Sequence, residues 1–258
     1  MNPDVYAVIV AAGAGLIFGS FATAVAHRVP RNESIVTGRS RCPNCGADIR
    51  WFENIPLFGY LFLRGRCARC GVRISPRYPL IEVVTAVLFA LAVDRFGVSF
   101  EAAIYASFFW VLVVLTAIDL EHKLLPNRIV YPAFVAGWVG LAVLAVTDGD
   151  AGHLVDGLIG ALVFGGFLFV VAFVAPAGMG GGDVKLGFLL GTFLGYAGGI
   201  GVVLIGMFLA FLLGGVIGVV LLVGGAGRKA QVPFGPFLAA GAVMATLCGR
   251  PILDWYLG

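Results

Sequence analysis

The chain of 258 residues is 60% hydrophobic and only 12% charged, with a mean hydropathy of +1.00. A soluble domain of this length has too little interior for so many apolar residues, so the composition points to an all-α polytopic membrane protein surrounded by lipid bilayer. The formal net charge of +3 follows from where the cations fall along the chain, and no base-reading fold accompanies it, so no nucleic acid partner is expected.

A helix needs roughly 20 apolar residues to cross a bilayer. Such stretches recur along the chain and predict about eight transmembrane helices, near 5–26, 80–94, 102–118, 128–146, 154–175, 184–196, 199–223 and 235–249. The second and sixth are short for a full crossing. The opening "MNPDVYAVIV" lacks a basic n-region, so the first span is read as a retained helix and not as a signal peptide. With 38 glycines, close helix packing through small residues is expected.

Residues 27–79, between the first two spans, are the only long polar stretch, giving three segments: 1–26, 27–79 and 80–258. Within the loop, "CPNC" (Cys42, Cys45) and "CARC" (Cys67, Cys70) have 21 residues between them, and each pair is followed by glycine. That is the spacing of a tetrahedral four-thiolate zinc site, a zinc-ribbon-like knuckle pair with structural and not catalytic character. Two disulfides are the competing arrangement, which a reducing cytoplasm disfavours. Cys248, in the last span, is read as a small apolar residue.

Of the 17 Lys and Arg, 15 fall in the first, third, fifth and seventh loops; only Arg95 and Arg250 lie opposite. The positive-inside rule makes those loops cytoplasmic and puts both termini outside. The same rule brings Asp119, at the end of the third span, and Asp183, at the start of the sixth, to one cytoplasmic face. Intramembrane acids are costly and are functional suspects. Each alone could be a helix-end residue in the headgroup region; together they could share a proton, one acting as base toward water and the other as acid. Gly180, Gly181 and Gly182, lacking Cβ atoms, would let an extended peptide approach Asp183. The glycines do not form a phosphate loop, since "GMGGGDVKL" contains no G-x-x-x-x-G-K-[ST]. The macrodipole singles out Asp183, at a helix start, as the charged member and Asp119, at a helix end, as the proton donor.

These residues resemble the type IV prepilin peptidases, bifunctional leader peptidases and N-methyltransferases of the GxGD aspartic protease group. "GSFATAVAHRVP" (19–30) is similar to their N-terminal signature, and residues 40–82 to their cysteine-bearing loop. "IDLEHKLLPN" (118–127) resembles the segment with the first catalytic Asp, and Gly180-Gly181-Gly182-Asp183 fits G-x-G-D. The chain departs from the pattern at Thr23 and Gly59, away from the acids and cysteines. The resemblance implies catalytic Asp119 and Asp183. It also implies type IV prepilin or pseudopilin precursors as substrates, cut between Gly and Phe on the cytoplasmic side of the bacterial inner membrane. The new N-terminus would then be methylated from S-adenosylmethionine.

A transporter relaying ions through Asp119 and Asp183 is the rival reading, but it wants acids near the bilayer centre and gives the cysteines no role. A membrane-anchored zinc module would explain the cysteines and leave the acids unused. Among the remaining titratable groups, His27 and His122 are read as helix-end residues, His153 as solvated, Glu82 as a partner for an arginine such as Arg77 ahead of a holder of the amine at a methylation site, and Lys185 as a headgroup anchor.

Overall fold

The computed structural model describes residues 3–36, 40–176, 179–225 and 232–257. Arg39, Arg228 and Lys229, counted above among the cytoplasmic cations, and Gly178 of the glycine run lie outside the described residues. The described residues are helical with no β-strand, as the composition predicts. They form α1 (Pro3–Arg28), α2 (Phe58–Phe62), α3 (Arg77–Phe96), α4 (Phe100–His122), α5 (Asn127–Asp148), α6 (Gly152–Val174), α7 (Gly181–Val223) and α8 (Gly235–Leu257). In hydrocarbon every backbone N–H and C=O must be satisfied internally, so apolar runs of this length can only be helices.

Among the described residues, six helices (α1 and α4 to α8) are long and apolar enough to cross a membrane. α3 has 20 residues and is apolar in its middle, but it carries Arg77, Glu82, Asp94 and Arg95 and is set apart from these six by its charges. α7, with 43 residues, breaks at Gly198 (φ −176°) and Gly199 (φ +68°). Leu194 and Gly206 would stand about 18 Å apart in a straight helix. A Cβ on Gly206 would instead lie 2.6 Å from Leu194 Cδ1, so the two halves fold back on each other. The predicted sixth and seventh spans are these halves, and the second is α3. The protein is a multi-pass membrane protein.

The chain divides into two compact units, Met1–Ile118 and Asp119–Gly258. In the first, α1 packs on α3 through Gly15 and Gly19: a Cβ on either would lie 2.6 Å from the Cα of Ala86 or of Glu82. This is the small-xxx-small contact that lets membrane helices approach backbone to backbone. The Trp110 indole N–H donates to the Phe18 carbonyl at 2.8 Å and ties α4 to α1.

In the second unit α7 packs against both α6 and α8. Gly191 of α7 meets the Gly160 backbone of α6, and a Cβ on Gly241 of α8 would lie 2.6 Å from the Ala210 amide nitrogen. Buried Phe164, Leu168, Leu189, Leu190 and Leu194 fill the α6–α7 layer. This tight packing fixes the start of α7 relative to the neighbouring elements, and there the carboxylates gather.

Candidate active site

α4 ends one turn after Asp119. The Lys123 N–H donates to the Asp119 carbonyl at 2.8 Å, and Lys123 takes φ +51°, a left-handed conformation that stops the helix. The chain then turns through Leu124 and Leu125 to Pro126, the extended N-cap residue of α5. Asp119 is only 5% exposed.

α7 begins with the glycine run. Gly180 is its extended N-cap, and Asp183, at the third helical position, accepts the Gly180 N–H on Oδ2 at 3.1 Å. The Asp183 N–H donates back to the Gly180 carbonyl at 3.0 Å. This is the half of a capping box that a glycine can offer. Part of the reason for a carboxylate behind the glycines is therefore local: it satisfies an orphan amide at a helix start.

The partner of Asp119 comes from α8. Buried Gly235, at the helix start, donates its N–H to Asp119 Oδ2 at 3.1 Å across 116 residues of sequence. Only glycine fits, since a Cβ there would lie 2.6 Å from that oxygen. Leu125 is wedged between the two helix starts: Cβ atoms on Gly182 and Gly235 would lie 3.0 Å and 3.5 Å from its side chain. Sequence reasoning missed Gly235 and Leu125. The available signal was "PFGPF" (233–237), a glycine between two prolines at the head of an apolar run. Both carboxylates thus accept an amide at a helix N-terminus, so the macrodipole no longer separates a charged member from a proton donor.

Asp119 and Asp183 line one cavity of ≈ 320 Å³ together with Gly180, Gly181, Gly182 and the α4–α5 turn. Gly181 is exposed, and a Cβ there would meet nothing within 4 Å, so the rim beside Asp183 is open to an incoming chain. Lys185 lines the same cavity: its Nζ donates to Asn127 Oδ1 at 2.9 Å and sits 5.5 Å from the centre of the Tyr131 ring. The expected headgroup anchor is instead a cation held in the cavity wall.

The remaining titratable residues differ from expectation in similar ways. Glu82 accepts the Leu57 N–H on Oε2 at 2.8 Å, while Arg77 donates to the Ala117 carbonyl at 3.0 Å. His153 faces Asp150 at 3.7 Å and packs its ring 5.4 Å from that of Tyr196, with its Nδ1 buried and so not simply solvated.

The four loop cysteines converge. The Sγ atoms of Cys42, Cys45, Cys67 and Cys70 all lie within 4.8 Å of one another, and those of Cys42 and Cys70 are 3.9 Å apart. Each knuckle turns at a glycine in the left-handed region, Gly46 at φ +68° and Gly71 at φ +70°, and each is closed by an isolated bridge, Arg41–Asp48 and Arg66–Arg73. The amides of Cys45 and Asn44 hold the Cys42 thiol below its ordinary value. The Val72 amide, with the Asn44 side chain, brings Cys70 down to about 6. Against the pull of the Ala47 amide, desolvation and the neighbouring thiols push Cys45 up to about 11. Backbone donors aimed at sulfur, on four thiols this close, suit a metal ion that takes thiolate ligands.

Residues 14–96 match the Bacterial Peptidase A24 N-terminal domain, and residues 106–227 match the Type IV leader peptidase family. The Prepilin leader peptidase/N-methyltransferase of Bacillus subtilis (strain 168) is 36% identical over 244 residues, spanning 94% of this chain and 95% of that protein. The chain belongs to the type IV leader peptidase family. The proteins of the same name from Myxococcus xanthus (40% identical; 84% of this chain, 64% of that protein) and Pseudomonas aeruginosa (34%; 94% and 91%) are further relatives. No solved structure matches. In this family member, both matched regions hold a feature described above: the cysteine cluster falls in the first, and Asp119, Asp183 and the glycine run in the second.

The glycine geometry makes a prediction about stability. Gly235→Ala forces a methyl onto the Asp119 carboxylate and should cost about 1–3 kcal/mol, as overpacking does. Gly181→Ala, pointing into open space, should cost well under that. Unfolding of the detergent-solubilised variants, followed by circular dichroism, checks the ranking; equal losses would mean the Gly235–Asp119 contact is misplaced.

Proposed function

We propose that this chain is a membrane aspartic endopeptidase that removes the basic leader from type IV pilin-like precursors, with Asp119 and Asp183 as its catalytic pair. The observation that carries the proposal is the shared cavity: two carboxylates with 63 residues of chain between them line one space beside an exposed glycine. One carboxylate takes a proton from water, whose oxygen attacks the scissile carbonyl carbon. The other, protonated, gives its proton to the carbonyl oxygen. Collapse of the tetrahedral intermediate breaks the C–N bond, and a proton returns to the leaving amine. The glycine run admits the extended backbone, and the proposed cut falls between Gly and Phe. Asp119 in the last turn of α4 and Asp183 in the first turn of α7 sit at helix ends, which disfavours an ion relay through the bundle.

The names of the relatives support N-methylation of the new N-terminus, with S-adenosylmethionine as donor. We assign this step to the cytoplasmic segment 27–79, distinct from the membrane core 80–258, because it is the only long polar stretch. A structural zinc on Cys42, Cys45, Cys67 and Cys70 fits the cluster: a zinc with Zn–S bonds of about 2.3 Å spaces its sulfurs by about 3.8 Å. Cys42 and Cys70 are already 3.9 Å apart. When bound, zinc would cross-link the two knuckles and supply folding free energy to the loop. The apolar helices and the bacterial relatives support the inner membrane, and the arginine distribution supports both termini outside and the cavity on the cytoplasmic face.

Incubation with a pilin-type precursor, followed by mass measurement of the product's N-terminus, tests the proposal. Asp119→Asn and Asp183→Asn should each slow cleavage by at least about 10²–10⁴-fold, the range of general acid–base catalysis. Near-normal cleavage by either variant would end the two-aspartate reading. For the metal, elemental analysis of protein purified without chelator should return one zinc per chain, and Cys45→Ser should lower that content while speeding proteolysis of the loop. Metal-free wild-type protein with an equally resistant loop would remove zinc from the account.

A further inference from the structure

The segment between the two cysteine knuckles carries an apolar surface that nothing in its own unit covers. α2 shows Phe58, Leu61 and Phe62 on one face, at i, i+3 and i+4, and they are 72%, 69% and 82% exposed. Trp51, just upstream, is 80% exposed. The opposite face of α2 is occupied: Gly59 backs onto the Glu53 carbonyl, and the Tyr60 ring lies against Gly65. The helix therefore has a buried side and an unpartnered aromatic side.

The depth of this segment is fixed by one hydrogen bond. Leu57, which precedes α2 and takes φ +61°, donates its N–H to Glu82. Glu82 lies in the second turn of α3, against Gly19 of α1. α2 is thus pinned beside the start of α3, where that helix packs on α1, and does not project into bulk water. Exposed Arg50, Arg64, Arg66, Arg69 and Arg73 flank it in the same loop. Aromatic side chains at the level of helix ends, with cations alongside, are the composition of a segment that lies in the headgroup region of an anionic bilayer.

We propose that α2 and Trp51 form an interfacial anchor: Phe58, Leu61, Phe62 and Trp51 enter the acyl–headgroup boundary of the membrane in which the chain itself is embedded, and the arginines hold lipid phosphates. The anchor would carry the cysteine knuckles flat against the bilayer surface. A basic peptide leader is the wrong occupant for this face, since the same arginines would repel it. The proposal concerns lipid and does not rest on the catalytic reading; its readout involves no cleavage.

The test uses the full-length chain in nanodiscs of mixed phosphatidylcholine and phosphatidylglycerol. The photo-crosslinking residue p-benzoylphenylalanine replaces Phe58, Leu61 or Phe62 in turn, with exposed Ala68 in a knuckle as the control position. After irradiation, mass spectrometry should find phospholipid adducts at 58, 61 and 62 several-fold above those at 68. Adducts no more frequent than at 68 would overturn the proposal, as would adducts mainly to a second copy of the chain or to an added pilin precursor. Circular dichroism matching the unsubstituted protein identifies variants that are folded. Phe58→Asp with Phe62→Asp gives an independent reading, in which trypsin should cut the nanodisc-embedded loop several-fold faster. An unchanged rate would count against the anchor.

Discussion

A carboxylate at the edge of a hydrocarbon layer costs several kcal/mol unless something replaces the water it loses. Here the replacement is backbone. Asp183 accepts the Gly180 amide at the start of α7, and Asp119 accepts the Gly235 amide at the start of α8. A helix start has free N–H groups and a partial positive charge, so it can hold an acid without a competing side chain. The rest of the second unit is arranged around this requirement. Two helix starts must converge on the end of a third, and only small residues let them come close enough.

That convergence explains several features that look unrelated in the chain. α7 reverses at Gly199, and its halves pack together through Gly206. The first half lies against α6 through Gly160 and Gly191, and the second against α8 through Gly241. The start of α7 and the start of α8 are thereby set on either side of Leu125, whose side chain reaches both Gly182 and Gly235. The turn that presents Leu125 exists because α4 stops at Lys123. Packing, chain reversal and helix termination all serve the placement of one cavity.

What could be read from the sequence had a local signature. Apolar runs of membrane-crossing length gave the spans, because lipid leaves the backbone no alternative to helix. Paired C-x-x-C knuckles located the cluster that the fold closes, and the glycine run marked the start of α7. Gly235 and Leu125 had no such signature, because their roles exist only across 116 residues or between two helix starts. Lys185 and Glu82 were misjudged for the same reason. A lysine near a helix start or a glutamate near an arginine suggests headgroups or a salt bridge. The tertiary fold gave Lys185 to Asn127 and Tyr131, and Glu82 to the Leu57 amide.

The central claim is that Asp119 and Asp183 act as one unit, and non-additivity tests it most directly. Cleavage of a pilin-type precursor would be measured for each single Asn variant and for the double variant. Residues that act together lose nearly everything on the first substitution. The account predicts that the double variant is no slower than the slower single one, at equal substrate binding. Losses that multiply, with the double variant slower by the product of the two single effects, would mean that the acids act separately and that the shared cavity is not the catalytic site.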